Sequence, residues 1–443
     1  MLRTKNYVFP LVSIFIFSTL MASLFISKEV SPIGQQVPVA LGLLAFSLTL
    51  TEVFIALRFK TMERKIGLPM MYSIHGTMAI ILMIAAIAHI GNELNAQKNF
   101  TVLPIATPAG FMAMALLVLT TLTGIFILSN RFIRKSPTFK RLKESVFKRE
   151  LGLMAHRFSI LAVLAIFAHM MAVDFVRSNI LLSVLSGLYV VLAVGGYIGS
   201  KIGKKVLPPY VLQHLSQHNP NIYELEFEPQ MGTLMTYKPG QYVFVRFIKS
   251  ALPKESHPFS ISSAPLSNST SLKVMIKNSG DYTSLMNQLK SGDIATLEGP
   301  YGNFMDINTA IDNSPLVMLA GGIGITPILS ILRSQIQEHN VRRMVLVWGL
   351  ASQKNLMLLD ELKEMKQQNG SFSYYITFSK EHVDSFDSGQ ITQEYLKQIG
   401  VHELYSEADF FICGPAPMMD SMKGILKDNK VDPDRIHIEE FSF

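Results

Sequence analysis

The chain has 443 residues, 49% hydrophobic and 16% charged, with a mean hydropathy of +0.29. This length predicts two or three domains, and the composition is too apolar for an ordinary soluble protein. Residues 1–206 carry 21 Lys and Arg against 7 Asp and Glu, whereas the remainder carries 19 against 26. This division argues against nucleic-acid binding, for which the polar half should be the basic one. The single cysteine, Cys413, excludes an intramolecular disulfide.

Six apolar runs of about 20 residues in the basic half fit membrane-spanning helices. They cover roughly residues 7–27, 36–57, 70–91, 107–130, 152–175 and 178–200. The loops after the second, fourth and sixth runs are basic, so the positive-inside rule places them in the cytoplasm. A signal peptide is the alternative for the first run, and its removal would leave five helices. We predict a multi-pass protein of the cell membrane with a cytoplasmic amino terminus.

Four histidines lie in the third and fifth runs and are the only histidines among the first 206 residues. His75 and His89 are 14 positions apart, about 21 Å and about 40° out of phase on an ideal helix, so both can face one neighbour. The loop charges make the two runs parallel, so His75 should meet His156 and His89 should meet His169. Imidazole is the usual axial ligand of b-type haem, and an unpaired polar group in lipid is costly. We predict two bis-histidine iron sites.

The second pair departs from the first. His156 and His169 are 13 positions apart, which leaves their imidazoles about 140° apart on an ideal helix. We therefore expect a local distortion of the fifth helix.

Beyond Lys205 the pattern changes to short alternating strands broken by prolines and a Pro-Gly turn, which predicts an all-β domain to about Ile307. From Ser314 apolar strands alternate with amphipathic helices, which is typical of a parallel sheet covered on both faces. We predict three domains, namely a six-helix transmembrane domain over 1–206, a β domain over 207–309 and an α/β domain over 310–443.

Two stretches of the β domain favour a flavin dinucleotide. A planar flavin needs a ring to stack on and donors along its polar edge, and one predicted strand offers His257, Pro258, Phe259 and Ser260. Alone, this pattern is typical of an ordinary edge strand. Further on, Lys277 and the turn Gly280-Asp281-Tyr282-Thr283 open a predicted helix through about Leu289. Its free amides and positive dipole end suit a pyrophosphate.

The α/β domain contains a glycine-rich turn between a buried strand and a helix: Gly321, Gly322, Ile323, Gly324, Ile325, Thr326 and Pro327. Its glycines allow close approach to a phosphate-bearing ligand, with a purely structural turn as the alternative. Cys413-Gly414-Pro415 ends a later strand, at the sheet edge where dinucleotides bind. Ser379 and Lys380 end the third strand and could hold a 2′-phosphate, which favours NADPH over NADH. A solvated loop is the alternative there.

The polar half resembles the ferredoxin-NADP reductase family. With the four histidines, the whole chain resembles the membrane ferric reductase and NADPH oxidase superfamily in its compact bacterial form, and the histidine spacing of 14 then 13 matches the oxidase branch. The resemblance implies an FAD-binding barrel of six strands and an NAD(P)H-binding α/β domain. Lys277 replaces a usual arginine of the flavin site, which loses the bidentate fork, and Tyr282 stands where tryptophan is common.

The same resemblance implies roles for three further places. Residues 298–302 would close the barrel near the cofactors, and Cys413 would lie close to the nicotinamide. The family's terminal aromatic residue, which covers the flavin until nicotinamide displaces it, aligns with Phe441, and Phe443 is a rival candidate.

The implied function is an oxidoreductase that passes electrons from NADPH, or alternatively NADH, through FAD and two b-type haems across the membrane. The acceptor would be dioxygen, giving superoxide, or ferric iron or its chelates. We expect a small-molecule or ion acceptor, a cytoplasmic dehydrogenase half and no obligatory protein partner. Two alternatives stay open, namely an electron-supply module whose outer haem reduces a partner protein, and a non-enzymatic membrane scaffold with a degenerate reductase domain.

Overall fold

A computed structural model describes residues 33–57, 62, 67–95, 102–125, 149–205, 207–265, 269–305 and 313–440. The first apolar run, most of the basic loop 131–149 and both terminal aromatic candidates, Phe441 and Phe443, lie outside these residues. The chain divides into two compact units near residue 206, an apolar helical unit and a mixed unit.

The helical unit consists of long helices with short connections. Its elements are α1 (Ile33–Ala56), α2 (Leu68–Asn95), α3 (Ala106–Thr123), α4 (Arg149–His156), α5 (Ser159–Met171), α6 (Asp174–Ser178) and α7 (Ile180–Lys205). Within the described residues, five spans are long and apolar enough to cross a membrane: Val37–Ala56, Met70–Asn92, Ala106–Thr123, Met154–Met171 and Ile180–Ile202. These correspond to the second to sixth predicted runs.

The outside of this unit is as apolar as its interior. Ala162 and Ala193 are fully buried in the core, whereas Ile84, Phe111 and Val191 are each more than 60% exposed. Apolar side chains exposed over whole helices would be unfavourable in water, and they suit contact with lipid.

The expected distortion of the fifth run is present, because α4 ends at His156 and α5 begins only at Ser159. Between them, the N–H of Arg157 donates to the carbonyl of Met154 at 3.2 Å and that of Phe158 to Ala155 at 3.1 Å. Bonds to the third residue back turn the chain by about 120° per residue rather than about 100°. The interruption therefore reduces the phase difference between His156 and His169.

The β domain is a six-stranded antiparallel sheet in the order β4-β3-β6-β1-β2-β5. Its strands are β1 (Pro209–Asn219), β2 (Ile222–Pro229), β3 (Tyr242–Lys249), β4 (His257–Ser260), β5 (Leu272–Lys277) and β6 (Ile294–Tyr301). An isolated antiparallel bridge between Ile261 and Val274 brings the two edges of this order together. A closed barrel stays a prediction.

The α/β domain contains the parallel sheet that the sequence predicts, in the order β10-β9-β8-β7-β11-β12. Its strands are β7 (Leu316–Gly321), β8 (Met344–Leu350), β9 (Phe372–Phe378), β10 (Asp387–Ser388), β11 (Asp409–Cys413) and β12 (Ile436–Glu439). Apolar clusters cover both faces, with helices α8 (Ile325–Gln337), α9 (Leu359–Gln368), α10 (Gln393–Gln398) and α11 (Ala416–Asp428). The edge strand β10 is too short and polar to be found from periodicity.

A half-buried arginine contacts both the β and the α/β domains. Arg333 of α8 donates to both carboxylate oxygens of Glu361, at 2.6 and 2.9 Å, and to the carbonyl of Ser262 at 3.0 Å. It also lies 3.5 Å from Glu224 of β2. Through Ser262 and Glu224, this side chain connects α8 to the β domain.

Candidate functional site

The four histidines of the helical unit meet in the pairs that their spacing predicts. The ring centroids of His75 and His156 are 5.9 Å apart, and those of His89 and His169 are 6.0 Å apart. The ring planes within the two pairs are inclined by 72° and 78°. The two sites thus have nearly the same geometry, despite the unequal spacing on the fifth run.

This separation suits one metal ion between two imidazoles. A metal–nitrogen bond of about 2.0 Å on each side, plus about 1.1 Å from each nitrogen to its ring centre, places the centroids about 6 Å apart. Among the described residues, no group of three or more His, Cys, Asp or Glu side chains forms a metal site. Two histidines alone leave most of an iron's coordination positions to another group, as a haem macrocycle would supply them.

Three of the histidines use Nδ1 to bind a backbone carbonyl of a neighbouring helix. Nδ1 of His89 lies 2.8 Å from the Pro38 oxygen, that of His169 lies 2.8 Å from Ala106, and that of His156 lies 3.0 Å from Thr120. A carbonyl only accepts, so Nδ1 is the protonated nitrogen and Nε2 carries the lone pair. Metal-bound histidines almost always hold their second nitrogen in this way.

A glycine lies four residues after each of these three carbonyls. A Cβ built on Gly110 would lie 2.9 Å from Nδ1 of His169, and one on Gly42 would lie 3.1 Å from Cε1 of His89. On Gly124 the nearest atom, Cε1 of His156, would be 3.6 Å away. At Gly110 and Gly42 the missing side chain therefore lets the ring lie against a helix and reach the carbonyl one turn earlier, whereas at Gly124 a Cβ would also fit. We call these three places the glycine notches.

The fourth histidine, His75, has a different partner. Its Nδ1 contacts a carboxylate oxygen of Glu52 on α1, and Glu52 is only 8% exposed. The residue four positions after Glu52 is Ala56, so the glycine of the other three places is absent here. Glu52 is not among the predicted site residues. The sequence does carry a signal for it, because a single carboxylate inside an apolar run is a functional candidate by default.

The partner positions repeat with the spacing of the first histidine pair. Pro38 and Glu52 on α1 are 14 residues apart, and so are Ala106 and Thr120 on α3. Each supporting helix therefore holds one histidine of each pair.

On the predicted flavin strand, His257 stacks on Tyr282 with centroids 3.8 Å apart and planes inclined by 25°. Nε2 of His257 lies 2.9 Å from Oε2 of Glu255. Burial, and then the Glu255 carboxylate, raise the pKa of the Tyr282 phenol, which stays protonated. Its buried hydroxyl has no hydrogen-bond partner within the described part of the chain. Since such a donor is costly to leave unpaired, it fits a ligand with an acceptor at this place.

The turn after Lys277 opens a helix, as predicted, but this helix is of the 3₁₀ type and covers the six residues Thr283–Gln288. The Thr283 hydroxyl accepts the N–H groups of Ser279 at 2.9 Å and Gly280 at 3.0 Å. The amide of Gly280 is therefore occupied within the turn, and pyrophosphate binding at the start of this helix stays a prediction. The exposed Lys277 remains at the end of β5.

Most glycines of the dinucleotide turn serve contacts within the protein. A Cβ on Gly324 would collide with the carbonyl of Cys413, one on Gly321 would lie 2.7 Å from Cδ of Pro415, and one on Gly414 would lie 2.9 Å from the Cα of Gly321. Only Gly322, with φ +53°, has open space where its Cβ would be. Close approach to a phosphate is thus available at Gly322, whereas the other three glycines bring the ends of β7 and β11 together. Ile323 and Thr326 lie in the same turn, and the Thr326 hydroxyl donates to the Ile323 carbonyl at 2.8 Å, before Pro327 in α8.

Cys413 ends β11 and is fully buried. Burial, and then Glu439, raise the pKa of its thiol well above the ordinary value, so the sulfur is protonated near neutral pH. A neutral buried thiol is a packing group rather than a nucleophile. Its predicted place beside a nicotinamide stays a prediction.

Ser379 and Lys380 follow β9, and both side chains are exposed. Their backbone N–H groups bind the carbonyls of Leu350 and Ala351, at 2.9 and 3.1 Å. The next residue, Glu381, accepts the N–H of Gln353 with its carboxylate. The hydroxyl of Ser379 and the ammonium group of Lys380 are therefore accessible at the end of β9, and the carboxylate of Glu381 follows them in the chain.

Two family models match the mixed unit. One, described as an FAD-binding domain, matches residues 211–305, and the other, an oxidoreductase NAD-binding domain, matches residues 318–424. The carboxyl-terminal half is a ferredoxin-NADP reductase-type dehydrogenase module. Residues 211–424 accordingly contain an electron-delivering reductase module that uses FAD and NAD(P)H.

Curated relatives match the same module. The chain is 31% identical over 225 residues to the 2-halobenzoate 1,2-dioxygenase electron transfer component of Burkholderia cepacia, covering 50% of this chain and 62% of the relative. It is 28% identical to the propane 2-monooxygenase reductase component of Mycolicibacterium goodii, covering 50% and 64%. A flavohemoprotein of Halalkalibacterium halodurans is 26% identical, covering 52% and 59%. The chain thus spans about 60% of the length of these relatives.

Solved structures resemble the chain more distantly. The flavohem-like FAD/NAD binding domain of nitric oxide dioxygenase from Vibrio cholerae is 22% identical with a TM-score of 0.47, covering 53% of this chain and 98% of that one. A flavohemoglobin from Malassezia yamatoensis is 17% identical with a TM-score of 0.49, covering 77% and 99%.

Proposed function

We propose that the chain is a membrane flavocytochrome b, in which electrons from NADPH pass through FAD and two b-type haems to an acceptor across the membrane. The observation that carries the proposal is the geometry of the histidine pairs. Two pairs lie about 6 Å apart between ring centres, and all four Nδ1 atoms are held by a carbonyl or a carboxylate. The same chain contains an electron-delivering reductase module.

The residues of this chain position and insulate the proposed cofactors. When bound, FAD accepts a hydride and gives up single electrons, and haem iron transfers one electron at a time. The Nε2 atoms of the four histidines would hold the two irons, with their ring orientation fixed by the Nδ1 contacts. Tyr282 would donate its hydroxyl to FAD, and Gly322 would let the NADPH phosphates approach the backbone. The protonated Cys413 adds no charge beneath the nicotinamide.

The direction of transfer follows from topology. The basic loops favour a cytoplasmic carboxyl-terminal module, which would make the His75/His156 pair the inner site and the His89/His169 pair the outer site. The five apolar spans and their lipid-like exposed faces support this membrane placement.

The proposed acceptor is dioxygen, giving superoxide, or ferric iron or its chelates. A second candidate function is an electron-supply module that reduces a partner protein through the outer site. The relatives named as an electron transfer component and a reductase component favour it, because both names describe parts of multi-component oxygenases.

The test uses the purified full chain in detergent. Anaerobic NADPH should reduce two haems per chain, and separate additions of dioxygen and a ferric chelate should show which one reoxidises them. A chain that holds no haem would refute the proposal, and reoxidation only after a membrane extract is added would favour the electron-supply module.

A single substitution tests the outer site. His89→Ala should lose one of the two haems while NADPH still reduces FAD. Gly76→Ala, on the same helix with nothing within 4 Å of the added Cβ, is the matched control and should keep both. Two haems in His89→Ala would contradict the ligand assignment.

A further inference from the structure

The two histidine pairs differ in the charge of their supporting partners. At the outer site, His89 and His169 both bind neutral backbone carbonyls. At the inner site, His156 binds a carbonyl, but His75 binds the carboxylate of Glu52. This charged partner occurs at the one supporting position that is followed four residues later by an alanine, Ala56, whereas the other three are followed there by a glycine.

Glu52 is unusual among the acidic side chains of the helical unit. Of those that the structure describes there, Asp174 is 45% exposed and pairs with Arg177 at 2.7 Å, whereas Glu52 is 8% exposed. Neither carboxylate oxygen of Glu52 has another polar partner within the described part of the chain, so the contact of Oε2 with Nδ1 of His75 is the interaction that compensates its burial. A carboxylate buried at this cost needs a reason beyond packing.

A carboxylate on the far nitrogen makes an imidazole a stronger electron donor than a carbonyl does. The partner raises the basicity of the ligand nitrogen, which stabilises the ferric form of a bound iron more than the ferrous form.

We propose that Glu52 is a positioning residue that lowers the reduction potential of the inner haem below that of the outer haem. The inference rests on the proposed function. It assigns to one side chain the driving force for outward electron transfer, since an electron moves spontaneously from the lower to the higher potential.

Potentiometric titration of the full chain, followed by haem absorbance, tests this assignment. His89→Ala keeps the inner site and His75→Ala the outer one, so these two variants assign the two wild-type potentials. The inner site should be the lower, and Glu52→Gln should raise it by at least about 59 mV, a tenfold shift in the one-electron equilibrium. The outer potential should stay unchanged.

The control is Thr49→Val, which removes a buried hydroxyl from the same helix that binds only the Ala45 carbonyl. It should leave both potentials at the wild-type values. If Glu52→Gln does not retain the inner haem, the order of the wild-type potentials decides. An inner site that is equal to or higher than the outer site, or a Glu52→Gln variant with unchanged potentials, overturns the inference. A wild-type chain without haem overturns the proposed function instead.

Discussion

Glycine does different work in the helical unit and in the reductase module. In the helical unit, three glycines face imidazole rings, which are side chains that can tilt: Gly42 and Gly110 closely, and Gly124 at an ordinary contact distance. In the module, three glycines make room for the other strand end, which contains main-chain atoms that cannot move independently: Gly321, Gly324 and Gly414. The glycines of the helical unit border a candidate metal site directly. Those of the module allow the ends of β7 and β11 to pack together next to the candidate dinucleotide site. Alanine substitutions should therefore damage binding in one region and stability in the other.

The largest effect is expected at Gly324. In Gly324→Ala the added Cβ would collide with the Cys413 carbonyl and lie 2.8 Å from the Gly414 nitrogen, so the hydrogen-bonded strands β7 and β11 must separate at their ends. We expect a loss of about 3 kcal/mol in the free energy of unfolding, measured by thermal unfolding of the module. Gly370→Ala, with nothing within 4 Å, is the control. An unchanged unfolding temperature in Gly324→Ala would contradict a stabilising role for the glycines of the module.

Gly110→Ala should act on binding instead. Its Cβ would lie 2.9 Å from Nδ1 of His169, which forces the ring away from the Ala106 carbonyl. We expect about tenfold weaker retention of the outer haem, with normal thermal unfolding and normal reduction of FAD by NADPH. Haem content per chain from pyridine haemochrome spectra measures it. Full haem content would show that the notch is incidental.

Tyr282→Phe separates a ligand contact from the framework in the module. The substitution removes a buried hydroxyl that has no partner among the described residues. Stability should be kept, while FAD affinity falls about fivefold, because one hydrogen bond is worth about 1 kcal/mol. FAD titration followed by flavin fluorescence measures the loss. Tyr395→Phe, whose hydroxyl instead bonds Asp387 at 2.6 Å, should leave FAD affinity alone.

The smallest effects on haem retention are expected for alanine at the other two glycine notches, Gly42 and Gly124. Gly42→Ala would bring a Cβ to 3.1 Å from His89, which a slight tilt relieves, so we expect a loss of about twofold in haem retention. At Gly124 the nearest ring atom would be 3.6 Å away, an ordinary contact, and retention should not change. Haem content in the order Gly124→Ala, Gly42→Ala, Gly110→Ala should decrease. Any other order would contradict a steric origin.

Periodicity and charge predicted much of this molecule. The parallel sheet follows from alternating apolar strands and amphipathic helices, and the meeting of His75 with His156 follows from spacing and basic loops. The glycine notches could not be predicted, because the local sequence around a glycine in an apolar helix does not show whether a ring packs against it. Gly76 has nothing within 4 Å and Gly110 has His169 at 2.9 Å, yet both stand in similar apolar sequence.

Two places in the module differ from what local patterns indicate. The helix expected after Tyr282 is a short 3₁₀ segment, and just before it the Thr283 hydroxyl accepts the N–H groups of Ser279 and Gly280. The glycine turn was expected to face a phosphate, but Gly324 faces Cys413, a residue almost 90 positions later. Contacts between segments so distant along the chain leave no mark in local patterns.

The interruption after His156 bears on how the histidine spacing of the fifth span can change. Arg157 and Phe158 form a turn between two separate helices, so a residue inserted there would not interrupt a continuous helix. Inserting one residue would give the 14-residue spacing found on α1, α2 and α3 and would permit an unbroken helix. The fifth span therefore differs from the 14-residue spacing by a single residue, and the turn that separates its two helices lies directly after His156.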